Sequence, residues 1–367
     1  MHTMPIPVIP LSMFEPERDA PGDTFNSTFV EVPDRITVEI APPPVEHFVN
    51  SSEIAPRYVE NWDAFVGQEA VKDELSVYID AHFTNCERLP HILLAATTPG
   101  TGKTTLARCI ADEIEQRIVM LVPPFKPEAL YEAAMSMKEF EILFVDEIHR
   151  LGEHGPAAAE NLLHMLEEHV LYLNGQVIGL EDFTFIGATT DADKLPEAVL
   201  DRFPVQPFFE PYSHADMVRI VHNFCRYYHV TLLPGTMVTL AKASRGTPRI
   251  ARGLVEGAKA LQTARGRAVT GEEVLAWKRY DPDGMTRQHK NYVLVLYQLC
   301  AQPGKNGIEY RAGEETIGTL LREGKRGVAR IERFLIEKGF IIKSGRGRVL
   351  TQRGIMAARR YEQEGFR

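Results

Sequence analysis

Cysteine is scarce. The chain has 367 residues and four cysteines, Cys86, Cys109, Cys225 and Cys300, with no C-x-x-C pair among them. That excludes a disulfide scaffold and makes a reducing, cytoplasmic setting the expectation. The sequence also lacks any run of about 18 apolar residues, so no membrane span is expected. Its opening, Met1-His2-Thr3-Met4-Pro5, has no basic stretch and is broken by proline, which argues against a secretory leader. No internal repeat is evident. What is present is ordinary for a globular protein, 44% hydrophobic and 25% charged, and excludes a wholly disordered or collagenous chain. At about 150 residues per domain the length suggests roughly two to three domains.

Charge is unevenly placed. Residues 285–367 hold 17 Lys and Arg against 8 Asp and Glu, a net +9, while the whole chain carries −9, so residues 1–284 carry −18. A basic end on an acidic body suggests an anionic partner such as nucleic acid. A solvated basic surface is the competing reading.

Residues 1–57 form an N-terminal Pro-rich extension with 10 of the 24 prolines. Within it, Thr28–Val32 and Ile36–Ile40 alternate around Pro33-Asp34-Arg35, the pattern of a short hairpin. From residue 58 the pattern becomes that of an α/β core, residues 58–207. Val71 to Phe83 has helical spacing. Ile92–Ala96, Ile142–Val145 and Phe183–Gly187 are short apolar runs suited to buried parallel strands, and helices are expected from Lys103 to Ile114 and from Pro156. Strands alternating with helices predict a parallel sheet covered on both faces. Residues 208–284 read as a helical lid, with helices opening near Ser213 and Pro248. Residues 285–367 read as three helices and a two-stranded wing, Phe340–Lys343 and Arg348–Thr351, with Ser344–Gly347 at its tip.

The strongest chemical signal is Thr97-Thr98-Pro99-Gly100-Thr101-Gly102-Lys103-Thr104-Thr105, between a strand and a helix. Such a loop turns backbone N–H groups and a helix N-terminus toward phosphate oxygens. Lys103 reaches the β- and γ-phosphates, and the Thr104 hydroxyl is a ligand for Mg²⁺. Thr97 stands where the first P-loop glycine is usual. The second signal is Asp146-Glu147, 43 residues after Lys103 at the end of an apolar strand. Asp146 would hold Mg²⁺ through water, and Glu147 would orient or deprotonate the attacking water. ATP with Mg²⁺ is therefore the expected substrate and cofactor. The histidines nearby, His149, His154, His164 and His169, match no metal-ligand spacing and read as packed or solvated.

Further strings carry a family resemblance. Phe65-Val66-Gly67-Gln68, Asp146 to Arg150, Gly187-Ala188-Thr189-Thr190, Asp201-Arg202-Phe203 and Arg245 to Ala251 occur in order, and Gly339 to Val349 closes the series. The set resembles the RuvB family of AAA+ ATPases, the Holliday-junction branch-migration motors, from about residue 60 to about 355. The resemblance implies an AAA+ P-loop core, a helical lid and a C-terminal winged-helix DNA-binding domain. It implies that Phe65 and Val66 line the adenine pocket, that Thr190 senses the γ-phosphate and that Arg249 contacts phosphate from the lid. Arg202 would be an arginine finger entering a neighbour's site, which implies a ring, hexameric by resemblance. Arg346 and Arg348 at the wing, with Lys343 and Arg330, would contact DNA phosphates without reading sequence. In RuvB proteins a long hairpin before sensor 1 docks RuvA. Here Leu171 to Leu180 is a short hairpin around Asn174-Gly175, so the expectation is a loading partner other than a standard RuvA. A clamp-loader or helicase-loader ATPase, or a DNA-binding protein regulated by nucleotide with little turnover, are the other readings these motifs allow.

Overall fold

The computed structural model describes residues 58–59, 61–304 and 307–365. The hairpin expected at residues 28–40 and the rest of the N-terminal extension lie outside them.

Helix α1 (Glu69–Asn85) leads into β1 (Ile92–Ala96), and α2 (Lys103–Glu113) follows the glycine-rich loop. Then come β2 (Ile118–Leu121), α3 (Pro127–Met135), β3 (Ile142–Val145), a 3-10 turn (Ile148–His154) and α4 (Pro156–Glu167). A hairpin, β4 (Val170–Leu173) and β5 (Gln176–Gly179), precedes β6 (Thr184–Thr189), α5 (Glu197–Leu200) and β7 (Phe208–Phe209). The sheet has the order β2-β3-β6-β1-β7, all parallel. Alternate side chains of its inner strands feed two separate cores. Ile92, Leu94, Ile142, Phe144 and Ile186 pack with α1 and α2, whereas Leu93, Leu143, Val145 and Phe185 pack with α3 and α4. A strand covered on both faces needs apolar residues at every position, which is why these read as unbroken hydrophobic runs.

The sheet extends to Phe209, since Ala95 and Ala96 pair with Phe208 and Phe209. A helical layer follows: α6 (His214–Tyr228), α7 (Thr236–Ala243), α8 (Pro248–Arg265) and α9 (Gly271–Lys278) around their own apolar core. Ser213 caps α6 by accepting from the Asp216 N–H at 3.1 Å, and Pro248 occupies the first turn of α8, where its missing N–H costs nothing.

The C-terminal part departs from three helices and a wing. Between α10 (Arg287–Leu299) and α11 (Glu314–Leu321) lies a hairpin, β8 (Ala301–Gly304) and β9 (Gly307–Ala312). After α12 (Lys325–Glu337), the wing strands β10 (Ile341–Ser344) and β11 (Gly347–Leu350) join it in a sheet of order β10-β11-β9-β8, and a last helix, α13 (Gln352–Gln363), packs on α10. Gly347 is needed where β11 meets β9, because its φ is +121° and a Cβ there would stand 2.5 Å from the Ala312 carbonyl oxygen. No helix among the described residues is long and apolar enough to cross a membrane.

Candidate active site

Three neighbouring strands deliver the expected residues to one edge of the sheet. The glycine-rich loop follows β1, Asp146-Glu147 follows β3, and Thr190 follows β6, which lies between them. The carboxyl ends of parallel strands are where such folds bind ligands. Pro99 to Thr105, Asp146, Glu147 and Arg249 line one cleft of about 290 Å³. Thr104 and Asp146, the expected metal ligands, share it.

The loop is built to hold an anion. Gly100 and Gly102 are in the left-handed region, with φ of +83° and +106°, so their N–H groups can turn inward at little cost. A Cβ on Gly100 would meet Arg249 Cβ at 2.6 Å. Lys103 is buried, 6% exposed, on the first turn of α2. Burial pushes its pKa down, while Glu147 and Asp146 push it back up. The Asp146 carboxyl is shifted upward, first by burial and then by Glu147, with Lys103 opposing. The Thr101 hydroxyl is buried and has no hydrogen-bond partner among the described residues. A buried cation, an orphaned hydroxyl and a loop whose amides can turn inward fit a polyphosphate, whose charge would restore what burial costs.

Glu147 is fixed from two sides. The Thr190 N–H donates to its carboxylate at 3.1 Å and the Thr190 hydroxyl at 2.9 Å. Its own N–H donates to Asp146 Oδ1 at 3.1 Å, and its backbone is left-handed at φ 49°. His149 Nδ1 stands 3.4 Å from the carboxylate and 2.9 Å from the Thr189 hydroxyl. Of the other histidines, His164 faces Glu168 at 3.3 Å and His169 faces Asp182 at 3.7 Å.

The helical layer touches the loop at two of its backbone carbonyls. Tyr212 OH donates to the Thr101 carbonyl at 2.8 Å, and the Arg249 N–H donates to the Gly100 carbonyl at 3.3 Å. Phe65 and Val66 are buried and line an apolar recess beside Gly102 and Thr105, together with Tyr212, Ile220 and Phe224. Sequence reasoning missed Tyr212, Tyr58, Phe224 and Arg252. Arg252 lies 5.3 Å from the Tyr58 ring, and both line the phosphate cleft. Tyr212 stood in a recognised helix start, but nothing in the local pattern marks a hydroxyl aimed at a loop 111 positions earlier.

Other expected residues lie apart from this cluster. Arg202 is half-buried, with Nε and Nη2 both on Glu167 Oε2 at 2.9 and 2.6 Å. The wing divides. Arg346 is exposed at the tip and Lys343 is exposed on β10, 3.6 Å from Glu332. Arg348, expected at DNA, is turned inward. It donates to Glu332 at 2.8 Å and Glu314 at 2.7 Å, and Glu332, 1% exposed, also accepts from Tyr292 OH at 2.8 Å. A buried carboxylate needs such a cation, so the side chain is committed to the fold. Arg330 is exposed on α12. The β4–β5 hairpin turns through Asn174 and Gly175, both with positive φ. Its tip is polar, but Tyr172 and Val177, paired across the strands, are exposed.

Comparison with known proteins gives a consistent answer. The family of the Holliday junction DNA helicase RuvB P-loop domain matches residues 56–208, and the RuvB C-terminal winged helix domain matches residues 282–358. The Holliday junction branch migration complex subunit RuvB of Prochlorococcus marinus (strain MIT 9215) is 32% identical over 310 residues, 80% of this chain and 85% of that protein. That of Acidothermus cellulolyticus is 35% identical over 320 residues, 83% of each. The solved Thermotoga maritima RuvB Holliday junction branch migration motor superposes with a TM-score of 0.68 at 26% identity, covering 85% of this chain and 98% of that one.

Proposed function

The chain belongs to the RuvB family, and on that premise we propose that it is an ATP-driven motor that moves the branch point of Holliday junction DNA, working as a ring in recombination or repair. The observation that carries the reading is the joining of three things in one chain. A complete phosphate cleft sits on the sheet edge, a lid touches that cleft's loop through Tyr212 and Arg249, and a basic winged helix follows.

Lys103 and the loop amides would bind the β- and γ-phosphates. Thr104 and Asp146 would hold a Mg²⁺ ion, which supplies charge neutralisation on the phosphates when bound. Glu147, held by Thr190, orients a water in line with the γ-phosphate and accepts its proton at the carboxylate. Phe65 and Val66 enclose the base, and Arg249 answers phosphate charge from the lid. Because Tyr212 and Arg249 grip the loop directly, a change at the phosphates alters the lid's seat, which is how hydrolysis becomes movement. Arg202 completes a neighbour's site after leaving Glu167, so turnover needs assembly. Arg346 and Lys343 at the wing take DNA phosphates, with Arg330 on α12. The four-residue strands of the β4–β5 hairpin support a loading partner other than a standard RuvA.

The test is ATP-dependent dissociation of a synthetic mobile four-way junction at low salt with Mg²⁺, with Lys103→Ala alongside. Dissociation by the parent and none by the variant is expected. A parent protein that turns over ATP on DNA but never separates the junction, alone or with a loading partner, would remove the motor reading.

A further inference from the structure

Helices α11 and α12 form a helix-turn-helix pair, and the second helix of such a pair is the one that enters a DNA groove. On α12, Arg326, Arg330, Arg333 and Glu337 fall at helical spacing on one face, opposite the buried Val328, Ile331 and Leu335. That basic face forms one wall of a cleft of about 750 Å³. The other wall is the nucleotide machinery, including Pro99, Thr190 and Arg249.

Two contacts seat α12 there. The Arg333 guanidinium donates to the carbonyl of Thr97, the first residue of the P-loop. From the lid, Arg245 lies 4.5 Å from the Phe334 ring centroid, and its Nη1 meets His289 Nε2 at 3.4 Å. A helix suited to DNA thus touches both the loop that cradles phosphate and the lid that closes over it.

We propose that α12 is a latch on the bound nucleotide and that duplex DNA competes for it through Arg333. The inference rests on the reading above in taking duplex DNA as the ligand of the winged helix. Seated on Thr97, Arg333 pins the first peptide of the loop and adds positive charge at the loop's start, so it favours retention of ADP. A DNA phosphate offers the same guanidinium a charge-assisted, bidentate bond, stronger than one to a neutral carbonyl. Arg333 cannot serve both. By linkage, duplex weakens ADP binding and ADP weakens duplex binding by the same factor. In a motor, DNA engagement then hastens release of spent ADP.

The full-length protein is titrated with a fluorescent ADP analogue, with and without a saturating short duplex at low salt, and duplex affinity is followed in parallel by anisotropy. Duplex should weaken wild-type ADP binding by about 5–20-fold, within the usual range of coupling between sites. Arg333→Ala should bind ADP more weakly without DNA and should not respond to duplex. Since Arg333 is exposed, its thermal midpoint should match the parent. Should Arg333→Ala fail to bind duplex, Arg245→Ala decides, since it frees the second contact and leaves the basic face of α12 intact. It should bind duplex at least as tightly as the parent and reduce the effect of duplex on ADP. No effect of duplex on the wild type, or an equal effect in wild type and the variants, overturns the latch. Coupling without junction dissociation would remove the motor and leave the latch. Junction dissociation with coupling unchanged in the variants would do the reverse.

Discussion

The Thr190 hydroxyl donates to the Glu147 carboxylate at 2.9 Å, so the residue expected to sense phosphate is also the one that orients the carboxylate proposed as the base. A hydrogen bond to a charged group contributes about 1.5–3 kcal/mol. Thr190→Val keeps the backbone donor and loses the hydroxyl. Turnover should fall roughly 10–100-fold, with nucleotide affinity changed less than about threefold, as single-turnover kinetics and equilibrium binding would measure. Glu147→Gln should bind nucleotide normally and lose about 10²–10⁴ in rate. Turnover by Glu147→Gln at the parent rate would take the base away from this carboxylate.

Arg202 is held within its own chain by Glu167 at 2.6 Å. If it serves a neighbour's site, Arg202→Ala alone should be inactive. Mixing it with Lys103→Ala, which keeps the finger but not the binding site, should restore a fraction of activity, because some mixed interfaces are complete. A mixture as inactive as its parts would leave Arg202 with only its surface ion pair.

The two wing arginines should separate cleanly. Arg348 neutralises the buried Glu332. Its loss should destabilise the winged helix by roughly 2 kcal/mol, below the usual cost of breaking a buried pair because Tyr292 and Lys343 still face that carboxylate. For a domain of this size that lowers the melting midpoint by about 10 °C. Arg346→Ala should melt like the parent, bind duplex more weakly at every sequence, and flatten the salt dependence by about one phosphate contact. Calorimetry and anisotropy give the two readings, and equal melting of the two variants would contradict the inward role of Arg348.

Two buried histidines make stability fall in mild acid. His91, bonded to the Leu166 carbonyl at 3.1 Å and the Phe185 N–H at 3.0 Å, has its pKa lowered to about 3 by burial and then by Arg88. His289 is lowered to about 3 by burial and then by Arg245. The unfolded chain takes up these protons near pH 6.5 and the folded chain does not. Stability is therefore full above about pH 6.5 and is lost as pH falls toward 3. The slope should approach about 2.7 kcal/mol per pH unit for the pair once both are protonated in the unfolded state. Urea midpoints between pH 6.5 and 5, above most carboxylate titration, would measure it, and a flat profile would show that one or both sites admit a proton.

Much of this architecture was legible because it is local. The runs Ile92–Ala96 and Ile142–Val145 are short and apolar at every position, as a strand covered on both faces requires. The P-loop is contiguous, so its glycines, Lys103 and Thr104 could be read together. The β8–β9 hairpin was not legible, since Pro303, Gly304 and Gly307 within it resemble a loop. Arg348 misled for a related reason. In sequence it stands two residues from Arg346 in a basic wing, and strand alternation alone does not reveal that Glu332, on another element, claims one side chain and leaves the other free.

The sequence by itself determined the chemistry: which loop can hold phosphate, which carboxylates follow the neighbouring strand, and which family these motifs join. Only the tertiary structure decided the pairing of those groups. It gave Glu147 to Thr190, the P-loop carbonyls to Tyr212, Arg249 and Arg333, and Arg348 to a buried carboxylate. The reason is physical. Strand and helix patterns are set by neighbours a few residues apart, whereas a buried polar group must find its partner wherever the fold brings one, at any distance along the chain.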